Sequence, residues 1–331
     1  MAAGHLIRVS GDGIRREHGE ARAHRAGPVK GDYRVVAKGM SPAEAFRAVC
    51  AACVQHVEAN RLGALAAADP EYLHQMRVAL RRLRTAFEDF EYAVPEAVAS
   101  QLTGELRWLG RALGRARDWD VFTAATLKPA VSARPRHRGL RALRVASVGL
   151  AAEARVAAHR ALQSRRYFEL MRALRALSYA DEARSAGTVR ALPIGARAPA
   201  VISAMYALAR KRGRGLARLG VKDLHRLRNA VRRLRYGLLF LETVLPEARA
   251  RALAVTVEAL QETLGGINDC AVARGLLALA RVEARGPQQK KARKLLKRRI
   301  EAARSALEAA LERQWKEFRA AEKAWSRRAR A

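Results

Sequence analysis

The 331-residue chain is poor in aromatics, with 4 Trp, 7 Tyr and 7 Phe, and poor in acids, with 31 Asp and Glu against 64 Lys and Arg. The first shortage leaves few rings on which bases could stack, which disfavours a dedicated nucleic-acid reader. The second leaves a net charge of +33. That excess exceeds any need of solubility and points to a polyanion, whether nucleic acid, anionic membrane or polyphosphate. Only Cys50, Cys53 and Cys270 are present, an odd number that excludes a disulfide framework and fits a reducing, cytoplasmic setting. No apolar run reaches membrane-spanning length and no signal-peptide core opens the chain. P-loop, G-x-G-x-x-G and G-x-S-x-G patterns are missing too.

What is present is Ala, Leu and Arg at the expense of Val, Ile and Thr, a composition for helix rather than sheet. The expected fold class is all-α. Its organising feature is a repeat: LHQMRVALRRLR, Leu73 to Arg84, returns 151 residues later as LHRLRNAVRRLR, Leu224 to Arg235. On a helix, His74, Arg77, Arg81 and Arg84 lie within about 80° of one another, as do His225, Arg228, Arg232 and Arg235. Met76, Leu80, Leu83 and Phe87 form a separate apolar stripe, matched by Leu227, Val231, Leu234 and Leu238. Arg82 and Arg233 fall on a third side. Compositional drift toward Arg explains none of these repeated positions.

Along the chain, residues 1–39 read as a mobile basic leader, with His5, His18 and His24 solvated. Ser41, Pro42 and Glu44 form a capping box that opens the first helix. Cys50, Cys53 and His56 have a metal-like spacing but lie in an apolar helical run, so they read as core. Asp69 and Glu71 cap the signature helix. The repeat continues in Pro95-Glu96 with Pro246-Glu247, Leu113-Gly114 with Leu264-Gly265, and Asp118 with Asp269. Each Gly reads as a helix C-cap, with Asp118 and Asp269 near the start of the next helix. The resulting domains are a first helical bundle over 40–180, a linker over 181–199 and a second bundle over 200–331. The charged run Lys290 to Arg299 reads as a solvated face.

Arginines at i, i+4 and i+7 present forked donors along one helix face, which suits a row of phosphates. The expected ligand-binding residues are His74, Arg77, Arg81, Arg82, Arg84, His225, Arg228, Arg232, Arg233 and Arg235, with Arg117, Arg166 and Lys211 as further basic candidates. Imidazolium formation should strengthen binding between about pH 7.5 and 5.5. No catalytic residue, metal or cofactor is assigned: no nucleophile or carboxylate can be set beside the histidines, and Asp118, Asp120 and Asp269 suit N-caps better than a metal site.

His74, Arg77, Val78, Arg81, Arg82, Leu83 and Arg84 match H-x-x-R-V-x-x-R-R-L-R. His225, Arg228, Arg232, Arg233, Leu234, Arg235 and Tyr236 match the second form of the pattern, with Asn229 in place of the Val. The chain thereby resembles the CHAD family, the conserved-histidine α-helical domain, over about residues 40–328. The resemblance implies two pseudo-twofold-related helical bundles around a central basic cavity that binds inorganic polyphosphate. Cytoplasmic polyphosphate granules and their other proteins become the expected surroundings, with nucleic acid bound only non-specifically and membrane not at all. Tyr33 to Ala45 is similar to the linker that joins such domains to a triphosphate-tunnel domain. The E-x-E-x-K strand of that domain is absent, so triphosphatase activity is not implied. The alternatives are a nucleic-acid-binding protein and a metal-dependent polyphosphate hydrolase or phosphotransferase.

Overall fold

Ser41 starts the first helix through reciprocal caps: its N–H donates to Glu44 Oε2 at 2.7 Å, and the Glu44 N–H donates to Ser41 Oγ at 3.2 Å. From there the computed structural model, which describes residues 27–66, 69–90, 93–179, 192–283 and 286–326, is all-helical. The α-helices are α1 (Pro42–Ala66), α2 (Glu71–Asp89), α3 (Glu96–Val121), α4 (Lys128–Ala133), α5 (Arg138–Gln163), α6 (Arg165–Ser178), α7 (Ile194–Arg212), α8 (Val221–Phe240), α9 (Glu247–Glu283) and α10 (Pro287–Ser326). Among the described residues there is no strand, and no helix is long and apolar enough to cross a membrane.

The starts of α2, α3 and α5 recur in α8, α9 and α10 at the repeat spacing, to within two residues. The apolar stripes do what their periodicity requires, since Met76, Leu80, Leu83, Leu227, Val231 and Leu234 are all buried. In the first half α2 packs on α1 and α3, with α5 on α3 and α6 on α1. In the second half α7, α8, α9 and α10 pack in chain order. The halves meet where α5 lies on α9 and α10, α3 on α9, and α2 on α8.

Four sequence expectations need correction. Gly114 and Gly265 do not end helices: α3 runs on to Val121 and α9 to Glu283. A single glycine weakens a helix by only about 1 kcal/mol, and the buried Leu109, Leu113 and Ala116 carry the apolar stripe through. Asp118 and Asp269 therefore sit inside helices, not at their starts. The first half departs from regularity later, in a π-helical turn over Phe122–Leu127 just before Pro129, whose missing N–H cannot continue the ladder.

Residues 27–39 of the expected mobile leader are docked, whereas 1–26 lie outside the described residues. Tyr33 and Val36 are buried. The Val29 N–H donates to Asn60 Oδ1 at 3.0 Å, and Asn60 Nδ2 donates to the Val29 carbonyl at 2.9 Å. Of the expected linker, residues 180–191 lie outside the described set, but Ile194 to Pro199 already belong to α7. The Ile194 N–H donates to the Met40 carbonyl and the Gly195 N–H to the Lys38 carbonyl, so the entry to the second half is fastened to the strap before the first helix. Cys50, Cys53 and His56 are core, as expected. His56 uses both ring nitrogens, Nδ1 with the Tyr33 hydroxyl at 2.8 Å and Nε2 with Gln75 Oε1 at 3.0 Å.

Candidate anion-binding site

The packing of α2 against α8 brings the two basic stripes to one place. Arg232 is pushed down to about 10, first by burial and then by the neighbouring charges of Arg228, Arg81 and Arg84. Burial also lowers Arg228, with Arg81 adding to the effect and Asp269 opposing it. In the first half Arg77 is lowered by burial and by Arg81 and Arg117, against the pull of Asp118. Unit charges about 4 Å apart interact by about 4 kcal/mol at an effective dielectric near 20. A group of mutually repelling guanidiniums is thus an unfavourable arrangement that an added anion would relieve.

Arg77 is held by a specific seat. Its Nη2 lies 3.7 Å from Asp118 Oδ1, and a Cβ on Gly114 would stand 2.4 Å from its Nη1. The missing side chain of Gly114 is what lets the guanidinium lie against α3. Even so, Arg77 Nη1, Arg81 Nε and Arg84 Nε are buried without a hydrogen-bond partner. Buried donors are normally paired, so these three, all on the stripe, leave room for acceptor oxygens; Arg82 Nε also lacks a partner but lies off the stripe, with its guanidinium over Tyr33.

His74 is half-buried beside the cluster. Burial, followed by Arg117, Arg81 and Arg77, holds its imidazole below the usual histidine range, with Glu71 opposing. It is therefore a neutral hydrogen-bonding group at neutral pH. His225 is exposed, so the two repeated histidines do not stand in equivalent surroundings. Next to the cluster lies a cavity of about 240 Å³, lined by Asp118, Asp269, Arg299 and largely apolar side chains such as Phe122 and Ile300. This space carries two acids on its wall and is not itself the expected basic cavity.

The remaining predicted residues have other commitments. Arg82 places its guanidinium 4.3 Å from the Tyr33 ring centre and 5.7 Å from that of Tyr236. Arg233 pairs with Asp89 and donates through Nη2 to the Glu88 carbonyl at 2.8 Å. These two off-stripe arginines cross between α2 and α8. Arg235 pairs with Glu258. Arg166 is bound to Glu105 at 2.6 and 2.9 Å and lies over Trp108. Lys211 lines a separate hollow of about 380 Å³ with Arg210, Arg214, Trp315 and Arg319. Arg117 does join the cluster, through its action on His74 and Arg77.

Two basic residues were missed by sequence reasoning. Burial lowers Arg84, and Arg107 and Arg111 on α3 lower it further, with Glu88 opposing. Arg107, Arg111, Gly114 and Asp118 follow the i, i+4, i+7, i+11 spacing of one helix face. That signal is hidden once Gly114 is read as a stop. As for a metal site, Asp120 accepts from Arg155 at 2.7 Å, Asp118 and Asp269 face Arg77 and Arg228, and no group of three metal-binding side chains forms among the described residues.

Comparison with known proteins bears on the whole arrangement. A family model described as the CHAD domain matches residues 48–278. The crystal structure of the CHAD domain from the plant Ricinus communis is similar, with 30% identity, a TM-score of 0.69, and coverage of 92% of this chain and 98% of that one. PptA from Streptomyces chartreusis shares the fold at 14% identity and a TM-score of 0.65, covering 83% of this chain and 98% of its own. No curated protein matches significantly.

Proposed function

The chain belongs to the CHAD family, and on that premise we propose that it binds inorganic polyphosphate without turning it over and takes the protein to polyphosphate granules in the cytoplasm. The observation that carries this reading is the cluster of Arg77, Arg81, Arg84, Arg228 and Arg232, with its crowded charges and three buried, unpartnered donor nitrogens. A polyphosphate chain has the acceptor oxygens these nitrogens lack. It also carries closely spaced negative charge, and its flexibility lets it follow both stripes. Arg117 and neutral His74 complete the contact set by donating to phosphate oxygens. Arg82 and Arg233 hold the two signature helices together and serve the site through its geometry.

The test pairs a site mutant with a charge control. Arg81→Ala/Arg232→Ala should lower affinity for labelled polyphosphate by about 100-fold and flatten its salt dependence, because two counterion-releasing contacts are gone. Lys291→Ala/Lys294→Ala, which removes the same charge from a solvated face, should lower it by less than about threefold. Equal losses would mean that net charge alone does the binding. Duplex DNA competing on equal terms would favour the nucleic-acid alternative. Shortening of the polyphosphate by purified protein with Mg2+ or Mn2+ would overturn the non-catalytic assignment.

A further inference from the structure

Resting on that reading, we propose that a long polyphosphate leaves the shared cluster on one side only, along a first-half track formed by Arg84, Arg107 and Arg111, and that Glu258 and Glu262 close the equivalent path in the second half. The duplication supplies the comparison. At the repeat spacing Arg84 corresponds to Arg235, Arg107 to Glu258 and Arg111 to Glu262. In the second half Glu258 takes Arg235 as an ion-pair partner, so that arginine is already neutralised. In the first half the same position holds a base, and Arg84, although Glu88 lies near it on its own helix, makes no ion pair among the described residues, keeps a buried, unpartnered Nε and has two further cations beside it. Arg107 and Arg111 are exposed and make no ion pair or hydrogen bond among the described residues.

The contrast extends along the whole face. Arg107, Arg111, Arg115 and Arg117 with Asp118 leave residues 107–118 at +3, whereas Glu258, Glu262 and Asp269 leave residues 258–269 at −3. Arg107 and Arg111 are about 6 Å apart along α3, close enough for one chain to touch both. A polyanion leaving the cluster meets attraction along residues 107–118 of α3 and repulsion along residues 258–269 of α9. The short ligand that fills the cluster needs neither face.

Two reciprocal double mutants, checked by circular dichroism and titrated with tripolyphosphate and with a long-chain polyphosphate, test the track. Arg107→Glu/Arg111→Glu copies the second-half pattern onto the first. It should lower long-chain affinity by about 30-fold and tripolyphosphate affinity by less than about threefold. Glu258→Arg/Glu262→Arg opens the second path and frees Arg235. It should raise long-chain affinity by about tenfold with little gain for tripolyphosphate. A loss from Arg107→Glu/Arg111→Glu that is the same for both ligands would overturn the track. So would an equal long-chain loss from Lys290→Glu/Lys294→Glu, which makes the same charge change on the solvated face of α10. These outcomes are separate from failure of the underlying reading, which would show as undiminished binding of both ligands by Arg81→Ala/Arg232→Ala.

Discussion

The two halves keep the same apolar skeleton and differ in charge beside it. Met76, Leu80 and Leu83 are matched in place and burial by Leu227, Val231 and Leu234, but the neighbouring helix segment is basic over residues 107–118 of α3 and acidic over residues 258–269 of α9. Packing explains the first fact, because buried side chains in a close-packed interior tolerate little change in volume or polarity. The exposed face has no such constraint. Equivalent arginines therefore acquire different roles: Arg84 lies between Glu88 on its own helix and the charges of Arg107 and Arg111 on α3 without an ion-pair partner among the described residues, whereas Arg235 is paired with Glu258. Arg82 stacks over Tyr33 and Tyr236, whereas Arg233 holds Asp89.

The largest expected effect sharpens this last contrast. Arg233→Ala strands the carboxylate of Asp89, whose side chain is 3% exposed and which burial pushes up to about 7. It should destabilise the fold by about 2–4 kcal/mol, since the buried carboxyl loses its ion-pair and hydrogen-bond partner and must take up a proton to stay buried, and Arg233→Ala/Asp89→Asn should recover part of that loss. Arg82→Ala removes a cation–π contact of about 1–2 kcal/mol and no charge partner. Urea denaturation of the three variants measures the difference. Equal losses from the two single mutants would mean that the off-stripe arginines contribute only through packing.

A smaller effect separates the two glycines. At Gly114 an added Cβ meets Arg77 Nη1 at 2.4 Å, while at Gly265 nothing lies within 4 Å. Because the clash is with the mobile end of a side chain, Gly114→Ala should displace the guanidinium from its seat beside Asp118 without unfolding the helix. Polyphosphate affinity should then fall by about fivefold, the loss of one charged hydrogen bond. Gly265→Ala should leave affinity within about twofold and stabilise the protein by about 0.5–1 kcal/mol through helix propensity. If both substitutions behaved like Gly265→Ala, the Arg77 seat would have no part in binding.

Much of this architecture was legible in the sequence because it is periodic. The capping box at Ser41, the two stripes on α2 and α8, and the matched helix starts at Glu96 and Glu247 follow from spacing alone. What was not legible depends on partners distant in sequence. Tyr33 and Val36 precede any periodic segment, and only the folded chain shows that their burial docks residues 27–39. Gly114 carries a stop signal locally, but the continuing leucine stripe overrides it. Arg82, Arg233 and Arg235 carry the same motif letters as the cluster residues. Their separation from it is set by Tyr33, Asp89 and Glu258, which the motif does not contain.

The histidines give the smallest and most diagnostic difference. His74 is half-buried among Arg117, Arg81 and Arg77, with its imidazole held below the usual range first by burial and then by those charges; the position of Arg117 is taken in the second half by Asn268, and His225 is exposed. The simple expectation of a rise in affinity between pH 7.5 and 5.5 is thereby displaced for His74. In the free protein its protonation is moved to lower pH than that of an ordinary imidazole near 6.5. A bound polyanion favours the charged form and raises its pKa, so binding takes up a proton, and affinity climbs as pH falls from the bound value to the depressed free value. Stability of the free protein runs the opposite way. With the folded pKa below the unfolded one, the unfolded state binds more protons, and the contribution of His74 is lost as pH falls from about 6.5 through the folded pKa. His74→Gln should therefore weaken polyphosphate binding by less than about tenfold near neutrality, flatten the acid-side gain in affinity and remove part of the acid-side loss of stability. His225→Gln should change binding by less than about threefold and leave both of the His74-linked slopes in place. Calorimetric titrations and thermal melts across pH 5 to 8 read all of these. Identical profiles for the two mutants would erase the asymmetry between the halves at the one residue type for which the family is named.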